Sequence, residues 1–147
     1  VVDITPATYN DKHNSVFTAL FAVDVTKATA REYVENTLRQ KLENDETTVQ
    51  FLMKGLSRAD EGFEWKFNLD ALHTNYNRIA ASIHSANPYL GKTLFVKGSK
   101  SSYINSTNYS TIVDLFPNHE LAEIADAGHW VHAEKPIEFL KEVIQFL

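Results

Sequence analysis

The sequence predicts an α/β fold: a parallel sheet flanked by helices and interrupted by one long helical insertion. Three observations predict it. Towards the end of the chain, strand-like apolar runs alternate with helix-like runs, the order that builds parallel sheets. The opening Val1-Val2-Asp3-Ile4 is apolar but for Asp3, as in a strand buried on both faces. Between these lies a stretch over residues 15–90, helical in style and too long for a simple crossover.

The first strand covers residues 1–4 and stops at Thr5-Pro6. Residues 8–14 are polar, and Ser15 is placed to cap a helix over residues 16–25. A second helix is expected over residues 29–42, with Tyr33, Val34, Leu38 and Leu42 three and four apart. A third, over residues 46–56, carries Val49, Leu52 and Met53 on one side and Gly55 near its end. Phe63-Glu64-Trp65-Lys66-Phe67 alternates strictly, which favours a short extended segment. Asn68 is placed to cap a helix over residues 69–84, with Leu72, Tyr76, Ile79 and Ile83 as its buried stripe. Asn87-Pro88-Tyr89-Leu90-Gly91 ends it.

The style then changes. Residues 93–97 form an apolar strand closed by Gly98, and residues 109–116 a helix stopped by Pro117. Residues 121–125 form another strand, closed by Asp126-Ala127-Gly128. Pro136 suits the first turn of a last helix to Leu147, with Phe139, Leu140, Val143 and Phe146 packing inward. The expected division is a partial α/β core over residues 1–14 and 91–147 and a helical lid over residues 15–90. Three strands are few for a self-sufficient sheet, so an upstream part of the fold is expected to pair with the first strand and cover it.

Composition narrows the function classes. A chain of 147 residues, 44% hydrophobic and 22% charged, suits one globular domain with a real core. A net charge of -5 without a basic run argues against a nucleic-acid partner. The absence of cysteine excludes disulfides and thiolate chemistry. No apolar run reaches the roughly 18 residues of a membrane span. The opening residues lack the basic-then-apolar succession of a signal peptide, and the natural start is expected upstream.

Ala127-Gly128-His129-Trp130-Val131-His132-Ala133-Glu134-Lys135-Pro136 is the sharpest chemical feature. A histidine in a glycine loop after a strand is exposed at the C-terminal edge of a sheet, where α/β sites lie. It can serve as a general base if an acid orients its other nitrogen; alternatively it is a loop histidine bonded to backbone. Asp3, at the end of the first strand, can be that acid or an Asx-turn residue before Thr5-Pro6. Ser101 and Ser102, after the second strand, can bond near the histidine or cap the following helix.

Gly55-Leu56-Ser57-Arg58-Ala59 resembles a nucleophile elbow, but an elbow follows a strand and opens a helix, and Ser57 is read as following a helix. His129, His132 and Glu134 are too few for a zinc framework, so no metal and no cofactor is expected. The insertion's aromatics (Phe17, Phe21, Phe51, Trp65, Phe67 and Tyr76) can line an acyl pocket or form the insertion's own core.

These residues resemble the abhydrolase, acyl-esterase branch of the α/β-hydrolase superfamily, which includes bacterial esterases, mitochondrial abhydrolase-domain proteins and fungal ethanol acetyltransferases. The resemblance rests on Val2-Asp3-Ile4-Thr5-Pro6, residues 63–69, residues 88–95 and, most specifically, residues 127–136. It implies the C-terminal part of an α/β-hydrolase fold, carrying the last three parallel strands. It implies that the nucleophilic serine and both oxyanion-hole amides lie upstream of this chain. By the same resemblance His129 is the catalytic base, Asp3 the triad acid and Ser101 a supporting residue. The superfamily's usual acid site, after the seventh strand, is occupied by Ser101; Asp70 is the rival acid.

The function so implied is a serine hydrolase acting on carboxylic esters or thioesters, with the missing N-terminal half of the fold as its partner. The alternatives are an alcohol acyltransferase on the same triad, or an inactive truncated hydrolase that binds a partner. Alone, the chain is expected to be inactive. The resemblance implies an intracellular setting, mitochondrial in some members.

Overall fold

The computed structural model describes residues 1–9 and 12–147; Asn10 and Asp11, within the polar stretch 8–14, lie outside the described residues. The chain divides into two compact units, residues 1–8 with 82–147 and residues 9–81. The limits fall earlier than the expected 14/15 and 90/91. Residues 82–90 belong with the α/β unit because the Ile83 N–H donates to the Pro6 carbonyl and the Tyr89 N–H to that of Leu115, each at 2.8 Å.

The unit of residues 9–81 begins with α1 (Asn14–Phe21) and a 3-10 turn (Val25–Lys27), followed by α2 (Arg31–Lys41) and α3 (Glu46–Met53). His13, not Ser15, flanks the start of α1. Asp45 caps α3, its carboxylate accepting the Thr48 N–H at 3.1 Å where the helix dipole is positive. The core is one mainly aliphatic cluster. Leu20, Val34, Leu38, Val49, Leu52 and Met53 from the three helices meet Leu56 and Phe63 in it. Burial of side chains of this size contributes roughly 1.5–3 kcal/mol each.

Further sequence expectations are corrected along this stretch. Residues 54–56 do not extend α3, because the Gly55 N–H turns back onto the Leu52 carbonyl at 2.9 Å. Leu56–Arg58 instead forms β1, antiparallel to β2 (Phe63–Trp65). The single helix over residues 69–84 is two short ones, α4 (Leu69–Thr74) and α5 (Tyr76–Ile79). Asn68 caps α4 as expected, accepting the Ala71 N–H at 2.9 Å. Asn75 then ends it, because its side-chain amide competes for the Ala71 carbonyl at 2.9 Å. The expected stripe is not buried: Leu72, Ile79 and Ile83 are exposed.

The α/β unit is built on β3 (Thr93–Gly98) and β4 (His119–Ile124), paired in parallel from Thr93↔His119 to Gly98↔Ile124. The opening residues run along the other side of β3. Val2 bridges Val96 in parallel, and the Asp3 N–H donates to the Val96 carbonyl at 2.8 Å. The expected strand over residues 1–4 shrinks to this bridge because Asp3 adopts φ 45° and turns the chain aside. Val1, Val2 and Ile4 are exposed in this chain, not buried on both faces.

Strand alternation gives the sheet two cores. Phe95 packs with Ile104 and Ile112, the latter from α6 (Ser110–Leu115). Val96 packs on the other side with Ile124, Ala127 and Val131 and with half-buried Phe139. The chain closes with α7 (Val131–Glu134) and α8 (Pro136–Phe146), which Pro136 opens. Of the residues expected inward on α8, Phe139, Val143 and Phe146 are half-buried and Leu140 is exposed. Among the described residues no helix is long and apolar enough to cross a membrane.

Candidate active site

Three parallel segments end at one edge of the α/β unit, and each delivers one side chain there. Asp3 follows the Val2 bridge, Ser101 follows β3 and His129 follows β4. The C-terminal edge of a parallel sheet is where ligands of such folds bind.

Asp3 is the centre of the cluster. Its side chain is fully buried, while that of His129 is 37% exposed. Burying a carboxylate is costly unless donors replace its water. Three donors do so here. The Gly98 N–H donates to Oδ1 at 3.2 Å, the Ser101 hydroxyl donates to Oδ2, and His129 Nδ1 lies 2.8 Å from Oδ2. The last contact assigns the Nδ1 proton to the imidazole, leaving Nε2 as the basic nitrogen. Among the described residues Nε2 has no hydrogen-bond partner.

The sequence left two readings open for Asp3. Its carboxylate makes no Asx-turn; the turn at Thr5-Pro6 is made by the Thr5 hydroxyl, which accepts the Ala7 N–H at 3.2 Å. Ser101 takes the first of its readings by donating to Asp3; it caps no helix, for the Tyr103 N–H that it accepts at 3.2 Å lies in the loop and α6 starts without a side-chain cap.

The histidine loop is locked to the loop after β3. The Lys100 N–H donates to the Ala127 carbonyl at 2.9 Å, and the Asp126 N–H to the Ser99 hydroxyl at 2.9 Å. Lys100 and Asp126 also pair at 2.9 Å, which holds the Asp126 carboxyl below its ordinary range. Gly98 makes this crossing possible, for a Cβ there would overlap the Gly128 carbonyl oxygen and lie 2.5 Å from that of Ala127. The Tyr103 ring stacks on the His129 imidazole, centroids 3.9 Å apart and planes at 15°.

No family model matches the chain. It is 34% identical over 154 residues to the sn-1-specific diacylglycerol lipase ABHD11 of Danio rerio, covering 100% of the chain and 48% of that protein. It is 33% identical over 153 residues to esterase YbfF of Escherichia coli, covering 99% of the chain and 56% of that protein. The solved structure of a marine microorganism esterase superposes over 100% of the chain and 59% of its own, with a TM-score of 0.93 and 30% identity. The chain belongs to the α/β-hydrolase superfamily. It carries the C-terminal part of the α/β-hydrolase fold and spans about half the length of the curated relatives it matches.

Within this α/β-hydrolase chain the other candidate residues fall elsewhere. Asp70 lies in the first turn of α4, in the other unit, while the Nδ1 position of His129 is taken by Asp3. Ser57 stands inside β1 rather than after a helix, and its hydroxyl donates to Glu64 at 3.3 Å. No helix follows β1, which leads into the β2 hairpin instead. The Glu134 carboxylate is turned onto backbone N–H groups, and among the described residues no cluster of His, Asp and Glu is placed to hold a metal ion. Phe17 and Phe21 meet His73 edge-on, and Trp65 stacks on Phe67.

Sequence reading puts the loop that holds Gly98 and Tyr103 at the active edge but gives neither residue a role there, and offers Glu134 only as a metal ligand. The aromatic just after Ser101-Ser102 and the carboxylate five residues after His129 were its available signals.

Proposed function

We propose that the protein to which this segment belongs is a carboxylic ester or thioester hydrolase working through a Ser–His–Asp triad. The observation that carries the reading is the buried Asp3 carboxylate, 2.8 Å from Nδ1 of an imidazole that is itself partly exposed. That pairing fixes the tautomer a general base needs and stabilises the imidazolium once formed.

On this reading the serine belongs to a part of the fold outside this chain, which spans about half the length of the relatives it matches. Its hydroxyl attacks the acyl carbonyl and passes its proton to His129 Nε2. His129 returns that proton to the departing alcohol or thiol, leaving an acyl-serine. Water, deprotonated by the same nitrogen, releases the acid. An alcohol in place of water gives ester synthesis on the same residues. The unit of residues 9–81 is read as the cap of such an enzyme, and an intracellular, mitochondrial setting is carried over from the resemblance.

The test uses a short-chain chromogenic ester. The chain is assayed alone and with a supplied N-terminal half bearing a serine elbow. Hydrolysis is expected only on complementation, and His129→Ala should abolish it. Hydrolysis by the chain alone, or full activity after His129→Ala, would overturn the reading.

A further inference from the structure

The histidine loop is held from below by one side chain that the triad mechanism does not use. Glu134 closes α7 and folds back over the loop. Its Oε2 accepts the Gly128 N–H at 2.7 Å, and its Oε1 accepts the Trp130 N–H at 3.1 Å. These two amides are the immediate neighbours of His129 in the chain. The Glu134 N–H in turn donates to the Trp130 carbonyl at 2.8 Å, so Trp130 and Glu134 bind each other reciprocally. The carboxylate sits against Gly128, where a Cβ would lie 3.0 Å from Oε1.

We propose that Glu134 is a positioning residue for His129: one carboxylate spans both amides that flank the histidine and thereby fixes where its imidazole stands between Asp3 and the nucleophile. The inference rests on the triad reading of the proposed function. Two features support it. First, bonds from N–H groups to a carboxylate are the stronger kind, and two from one anion fix orientation as well as distance. Secondly, the opposite flank of the loop is already held, through the Lys100 N–H on the Ala127 carbonyl at 2.9 Å. With the Glu134 side chain removed, the N–H groups of Gly128 and Trp130 would lose this shared acceptor, while the Trp130 carbonyl would keep its backbone bonds to Ala133 and Glu134. A misplacement of about 1 Å at such a group costs on the order of 100-fold in rate.

The experiment uses the complete enzyme with its serine half in place. Glu134→Ala, Glu134→Gln and His129→Ala are compared with the parent in kcat, KM, the pH profile of kcat/KM and the low-field proton resonance of His129 Nδ1–H. Glu134→Ala is expected to lower kcat roughly 10- to 100-fold with KM little changed. It should also broaden or shift the Nδ1–H signal and displace the acid limb of the profile. Glu134→Gln keeps one acceptor and should recover part of the rate. If Glu134→Ala fails to fold, Glu134→Gln alone carries the test through its rate and its proton signal. Parent-like kcat, profile and proton signal in a folded Glu134 variant would overturn the proposal, provided that His129→Ala is inactive. An active His129→Ala would instead overturn the triad reading itself.

Discussion

The Asp3 carboxylate meets the His129 imidazole at 2.8 Å across 126 residues of chain, in a pocket where the acid is fully buried. The acid of this cluster therefore comes from the first parallel segment and not from the loop after β3, where Ser101 stands instead.

Asp3→Asn in the complete enzyme should lower kcat by about 10⁴-fold, because an amide can present its N–H₂ to Nδ1 and favour the wrong tautomer. The fold should survive, since Asn tolerates the positive φ that Asp3 adopts. Asp70→Asn should change kcat little. Steady-state kinetics on the two variants decide between the acids, and the reverse ranking would reassign the role to Asp70.

Ser101→Ala removes a hydroxyl donor from a carboxylate with no access to water. A hydrogen bond to a charged group contributes about 1.5–3 kcal/mol, so a loss of that order in unfolding free energy is expected. Two donors to Asp3 remain, so kcat should fall far less than in Asp3→Asn. Denaturant titration and kinetics on one preparation would separate the two effects, and an unchanged stability would show that the Ser101 bond contributes nothing.

Gly98→Ala adds one methyl where the β3 end passes the histidine loop. The overlapping atoms are the carbonyl oxygens of Gly128 and Ala127, which belong to backbone and cannot rotate away. Overpacking against a rigid neighbour costs roughly 1–3 kcal/mol, and the loop that must shift carries His129. A lowered Tm accompanied by a lowered kcat is expected. A parent-like Tm would mean that the two loops separate freely.

The sequence made the frame of the site legible because its signals are local. Gly98 and Asp126-Ala127-Gly128 mark where β3 and β4 stop, and the residues just after a parallel strand lie at the active edge. The resemblance then matched Asp3 and His129 within that frame. Other elements were misread where local propensity was overruled. Residues 54–56 looked like the end of a helix, yet Leu56 pairs with Trp65 in a hairpin. Leu72, Ile79 and Ile83 kept a helical period that Asn75 interrupts. Tyr103 and Glu134 escaped because stacking and backbone clamping leave no periodic trace. In the sequence Glu134 offers itself only as a metal ligand, although its carboxylate binds two amides of its own loop.

The left-handed turn at Asp3 limits what evolution or an engineer can try at that position. One residue supplies both the bend, at φ 45°, and the buried anion. β-Branched side chains are excluded by the bend, glutamate would carry its charge too far for three donors built around a shorter arm, and glycine would keep the bend but leave the histidine without an acid. Relocating the carboxylate to another strand would thus still leave position 3 tied to a short polar residue or glycine, so the backbone would keep the imprint of the present cluster after its anion had moved.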